Sequence, residues 1–143
     1  MSGLFIFDTM QKIEHIGIAV NSIDAYIKMY ESLLNTPCYK IEEVKSEGVK
    51  TAFYKVGPNK IELLEATNPD SPIAKFIAKK GEGIHHIAYA VANIEEEIDR
   101  LQKLGFELLN TVPKNGADHK KIAFLHPKSA GGVLVELCAD IDA

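Results

Sequence analysis

Lys12-Ile13-Glu14-His15-Ile16-Gly17-Ile18-Ala19-Val20 is repeated further along the chain as Gly83-Ile84-His85-His86-Ile87-Ala88-Tyr89-Ala90-Val91. Setting His15 on His86 also brings Asn21-Ser22-Ile23 onto Ala92-Asn93-Ile94, and Lys60-Ile61-Glu62-Leu63-Leu64 onto Leu134-Val135-Glu136-Leu137-Cys138. Glu62 trails His15 by 47 positions (62 − 15) and Glu136 trails His86 by 50 (136 − 86). Near-equal spacings are what one fold unit written twice, with a small loop insertion, produces.

Around these stretches the hydrophobic pattern reads as strand, helix and three strands in each copy. In the first strand Ile16, Ile18 and Val20 form a bulky face, and His15, Gly17 and Ala19 a narrow one. Ser22 is expected to cap a helix to Leu34 with Ile23, Tyr26, Ile27, Tyr30, Leu33 and Leu34 on its apolar stripe. Strands are expected at Cys38–Val44, Val49–Val56 and Ile61–Glu65, with turns at Ser46-Glu47-Gly48 and Gly57-Pro58-Asn59. Pro72 and Gly81 bracket a connecting helix. The second copy keeps the parity, with His86, Ala88 and Ala90 on the narrow face and His85, Ile87, Tyr89 and Val91 on the bulky one. Asn93 caps a helix to Leu104, and strands follow near Phe106–Asn110, Lys121–His126 and Val133–Cys138, with a polar loop from Pro113 to His119. The expectation is an α+β fold: two four-stranded sheets, each backed by helices on its bulky face, as one domain made of residues 12–66, a connector at 72–81 and residues 83–139.

Composition narrows the function. With 143 residues, 46% hydrophobic and 25% charged, the chain suits one soluble globular domain. A net charge of −4, with no clustered lysines and arginines, argues against nucleic acid as the partner. The apolar start, Met1 to Asp8, is too short for a leader or a membrane span and reads as an arm packing on the body or on a second subunit. Cys38 and Cys138 have no metal-knuckle or CxxC spacing, read as small hydrophobes, and leave a reducing cytoplasm as the default.

A carboxylate in the middle of an apolar strand is costly to bury unpaired. Glu62 and Glu136, with His15 and His86, are therefore expected around one divalent first-row metal ion, which four protein ligands on an octahedral ion would leave with two open positions. These four residues, the repeat, and the tail Phe124-Leu125-His126-Pro127-Lys128-Ser129-Ala130-Gly131-Gly132-Val133-Leu134-Val135-Glu136-Leu137 resemble the methylmalonyl-CoA epimerases of the vicinal-oxygen-chelate superfamily, from about Lys12 to Cys138. The resemblance implies paired βαβββ modules, usually a homodimer, holding Co²⁺, Zn²⁺, Ni²⁺ or Mn²⁺. It implies an isomerase that interconverts the 2R and 2S forms of methylmalonyl-CoA by removing the C2 proton through a metal-stabilised enediolate, with an acyl-CoA as the partner and Glu136 as both ligand and base. Some relatives carry a second catalytic Glu where this chain has Thr51, so Glu62 is expected to serve the opposite face.

The neighbouring residues get smaller roles: His85, facing the bulky side, as a core group or one that supports a ligand from behind, His126 orienting the loop to Glu136, His119 at the surface or cavity mouth, and Lys120, Lys121 and Lys128 as attractors of CoA phosphates. The rival readings are a lactoylglutathione lyase acting on a glutathione hemithioacetal and a small-ligand-binding protein without catalysis. A dioxygenase of the same superfamily is disfavoured because Glu62 fills the position left open there.

Overall fold

The computed structural model describes residues 10–142, so the expected arm from Met1 to Asp8 lies outside the described residues. The first half runs β1 (Lys12–Ala19), α1 (Ile23–Leu34), β2 (Lys40–Val44), β3 (Val49–Val56) and β4 (Asn59–Ala66). After α2 (Pro72–Lys80), the second half repeats the order as β5 (Gly83–Ala90), α3 (Ile94–Lys103), β6 (Lys114–Asn115), β7 (Lys120–Leu125) and β8 (Val135–Asp140). Local chemistry sets many of the boundaries. Ser71 Oγ accepts from the Ile73 amide with Pro72 at the first helical position, and Gly81 ends α2 at φ 80°. Asn93 caps α3 by accepting from the Glu96 amide. Gly57, at φ 59°, opens the two-residue turn between β3 and β4.

The strands form one curled eight-stranded sheet, ordered β2-β3-β4-β1-β5-β8-β7-β6, rather than the expected two. The reason is the β1–β5 contact: the two strands pair antiparallel along their length and satisfy each other's backbone groups, so no gap divides the halves. Within each half the first strand runs parallel to the last, β1 beside β4 and β5 beside β8.

Three hydrophobic clusters hold the fold. Val20, Ile23, Ala52, Tyr54 and Leu63 pack beneath α1, and Val91, Ile94, Ile98, Leu101, Leu125 and Leu137 pack beneath α3. Ala19, Leu64 and Ile73 form a third, with α2 lying on the narrow face of the sheet. Since α1 rests on β3 and β4, and α3 on β7 and β8, the bulky residues at the central seam are only half covered. Ile16, Ile18, Ile87 and Tyr89 are half-buried, and it is the narrow face that is closed.

Other departures are local. Ser22 makes no side-chain cap; the Ile23 amide donates instead to Glu65 of β4, at 2.7 Å. Leu33 is exposed, outside the α1 stripe. Phe106–Asn110 makes only an isolated bridge, Leu108 to Leu125, and the loop expected from Pro113 contains the short β6.

Leu63 and Leu137 occupy equivalent places in separate clusters and are both fully buried. Leu63→Ala and Leu137→Ala are each expected to cost about 2–5 kcal/mol in denaturant unfolding, with the double variant close to their sum. Strong non-additivity would show that the two cores do not act separately.

Candidate metal centre

Strand register brings the candidate ligands together. Gly17 of β1 stands opposite Glu62 of β4, and Ala88 of β5 opposite Glu136 of β8, so in each half the glutamate faces the position two residues after the histidine. At the seam the relation crosses over: Gly17 pairs with His86, and Ala88 with His15. Each imidazole thus lies over a small residue of the other half. At Gly17 this is obligatory, since an added Cβ would fall within the His86 ring, 2.6 Å from Nδ1.

His15 Nε2 and His86 Nε2 are 3.0 Å apart, and Glu136 Oε1 is 3.0 Å from His86 Nε2 and 3.6 Å from His15 Nε2. Adjacent ligands on one ion bound at about 2.0–2.1 Å have separations of this order. Glu62 is less centred: its Oε2 lies 3.2 Å from His15 Nδ1 and 3.7 Å from Lys60 Nζ. All four are at most 6% exposed.

The electrostatics fit a cation. Among the described residues of the site, the carboxylates of Glu14, Glu62 and Glu136 are buried, and the buried Lys60 reaches Glu14 and Glu62 but not Glu136. Burial opposes charge on His15, but Glu62 and Glu136 outweigh it and raise its pKa to about 10. Burial pushes the Glu62 carboxyl up against the pull of His15, whereas for Glu136 the two histidines overcome burial and hold it well below the ordinary range. The site therefore carries excess negative charge that a proton on His15 offsets only in part, and that a divalent ion on nitrogen and oxygen donors would offset more fully.

The site opens into a cavity of about 300 Å³ with a largely apolar wall that includes Leu64, Ile122, Phe124 and Leu134. Thr51 is buried in that wall, and Glu47, also on it, is tied to Lys114 at 3.0 Å. His85 is not turned to the bulky face: it lines the cavity, its Nδ1 2.9 Å from His86 Nδ1, and burial, then His86, lowers its pKa to about 4. Cys138 stands on the cavity wall, 3.9 Å from Glu14, with burial pushing its thiol up. His126 Nδ1 accepts from the Lys128 amide and so shapes the turn toward β8, while His119 is exposed beside Asp142. Lys120, Lys121 and Lys128 pair with Asp140, Glu95 and Glu107, and of the three only Lys120 lines the cavity.

Sequence reading missed Glu14, Lys60 and Asp118. Glu14 Oε1 takes His15 Nδ1 at 2.6 Å, its Oε2 takes Lys60 at 3.1 Å, and Lys60 reaches Asp118 at 2.8 Å. Asp118 also accepts from Lys40 and from the Tyr39 hydroxyl. Strict strand alternation hid Glu14, and the partners of Lys60 come from distant loops.

Gly17→Ala tests the crossed packing. It is expected to displace the His86 ring and weaken metal binding, measured by calorimetry, at least about tenfold, equivalent to about 1.4 kcal/mol. An unchanged affinity in the folded variant would show that His86 does not have to lie over Gly17 to bind.

Comparison with known proteins shows the family and the fold. The chain is 41% identical to YqjC of Bacillus subtilis, an uncharacterized protein, over 90% of this chain and 92% of that one. It is 38% identical to the mitochondrial methylmalonyl-CoA epimerase of Homo sapiens, over 88% of this chain and 72% of the human one. A solved methylmalonyl-CoA epimerase in complex with methylmalonyl-CoA and NH₄⁺ superposes with a TM-score of 0.88 at 34% identity, covering 92% of this chain and 96% of that one. The sequence profile that matches residues 14–124 is that of the Glyoxalase/Bleomycin resistance protein/Dioxygenase superfamily, and the chain belongs to that superfamily.

Proposed function

We propose that this protein is a metal-dependent epimerase that interconverts the 2R and 2S forms of methylmalonyl-CoA, with residues 12–66 and 83–139 acting as one catalytic domain. The observation that carries the reading is the convergence of His15 from one half with His86 and Glu136 from the other at an apolar cavity, with the Glu62 carboxylate beside His15. The epimerases among its relatives supply the substrate class.

His15, His86, Glu136 and Glu62 would hold the ion. When bound, a divalent cation supplies Lewis-acid stabilisation of the negative charge that develops on the thioester oxygen, worth several kcal/mol. The side chains handle the proton. One carboxylate takes the C2 proton from its face of the substrate, leaving an enediolate, and the carboxyl on the other side returns a proton to the opposite face. Each turnover leaves the pair with their protonation exchanged. A positioned base contributes about 10²–10⁴-fold, so neither group suffices alone. Thr51 has no acid–base capacity at neutral pH, and Glu62 is a second buried carboxylate on the cavity wall, 3.2 Å from His15 Nδ1. Leu64, Ile122 and Phe124 offer an apolar wall to the methyl group and keep water from the carbanion-like centre.

Single-turnover incubation in D₂O tests this. Metal-loaded protein is expected to place deuterium at C2 of both epimers. Glu62→Gln is expected to slow exchange of one epimer by about 10²-fold or more while the other still exchanges. Wild-type rates with both epimers would remove Glu62 as the second base, and no exchange by the metal-loaded wild type would remove the substrate assignment.

A further inference from the structure

Each histidine of the metal centre is preceded by a residue at a β-bulge. Along the β1–β5 seam, Ile13 pairs with Tyr89 and His15 with Ala88, so Glu14 is an extra residue on β1. Gly17 pairs with His86 and Ile18 with Ile84, so His85 is an extra residue on β5. A bulge breaks the two-residue alternation of a strand and turns one side chain to the face of its neighbour. Both bulged residues consequently touch the Nδ1 of the histidine that follows: Glu14 Oε1 lies 2.6 Å from His15 Nδ1, and His85 Nδ1 lies 2.9 Å from His86 Nδ1.

We propose that Glu14 and His85 are positioning residues, which hold the Nδ1 side of His15 and His86 so that both Nε2 atoms are presented to one metal ion. The inference rests on the metal-centre reading above and extends it to two residues outside the ligand set. A ligating histidine needs its second nitrogen engaged, because that bond fixes the ring's orientation and raises its basicity as a ligand. Glu14 is itself immobilised, one oxygen on His15 and the other on Lys60, which Asp118 holds in turn. Glu62 also approaches His15 Nδ1, at 3.2 Å, so Glu14 at 2.6 Å is the nearer of two carboxylates at that nitrogen. The two bulges are not equal partners. A carboxylate acceptor makes a hydrogen bond about twice as strong as a neutral one, so Glu14 should matter more than His85.

The test measures zinc affinity by competition with a chromophoric chelator, together with the ring N–H proton resonances of the zinc-loaded protein. Glu14→Ala is expected to weaken zinc binding about 10–100-fold, as loss of such a partner does elsewhere, and His85→Ala less. Glu14→Gln, which keeps the shape and an acceptor oxygen, should fall between Glu14→Ala and wild type, and it serves if Glu14→Ala does not fold. In the wild type the His15 Nδ1 proton should resonate far downfield and exchange slowly, and Glu14→Gln should move it upfield, a change that a merely structural role would not cause. Wild-type affinity in the folded Glu14 variants, or an unmoved His15 resonance, overturns the proposal. A wild-type protein that binds no zinc or other divalent ion instead overturns the metal-centre reading, and the proposal with it.

Discussion

Where β1 and β5 lie antiparallel, a histidine of each half is set over a small residue of the other, His86 over Gly17 and His15 over Ala88. The candidate centre exists only in this register. A slip of one residue would turn both rings to the convex face, and bulky residues in place of Gly17 and Ala88 would leave the rings no room. Neither half contains the candidate centre alone: the seam brings His15 of one half to His86 and Glu136 of the other, and Glu62 lies beside His15. The exposed isoleucines at the seam, Ile13 and Ile84, show that the contact is held more by backbone pairing and closure of the narrow face than by a core on the other side.

Burying three carboxylates is unfavourable unless each is matched. Every buried side-chain nitrogen and oxygen among the described residues does find a partner, and Lys60 is the hub. It links Glu14 to Asp118, a loop residue of the second half held at φ 57°, whose amide donates to Glu42 on β2. β2 and β6 are the two edges of the sheet, and Asp118 together with the Lys114–Glu47 pair ties one edge strand to the loop beside the other. The network that steadies His15 is therefore also what closes the curled sheet around the cavity. Local strain and buried charge of this kind are expected where a fold is organised for chemistry rather than for stability.

The duplicated stretch made much of this visible in sequence: the order of elements, the helices starting at Pro72 and Asn93, and the convergence of His15, His86 and Glu136. What stayed hidden has a common cause. Sequence periodicity describes a strand as a regular two-residue alternation, and the functional additions sit where that alternation breaks, at Glu14 and His85. Lys60 and Asp118 find each other only through the closure of the sheet, which no local pattern encodes. The single sheet was missed because a strand's own pattern does not say whether its free edge will be taken up by its counterpart in the other copy. Ser22 failed as a cap because a stronger acceptor, Glu65, arrives from β4.

The two halves also differ in an instructive way at equivalent positions. Beside His15 stand Glu14 and Lys60, an ion pair; beside His86 the matching residues are His85 and Leu134, which carry no such pair. Removing one member of a buried ion pair leaves a stranded charge, whereas replacing both by neutral groups can be close to neutral in free energy. The His and Glu of each half thus keep equivalent strand positions while their surroundings diverge in matched pairs. The proposed reaction asks for a carboxylate on each face of one carbon, one protonated while the other is not, and mutual repulsion between two close carboxylates favours that state.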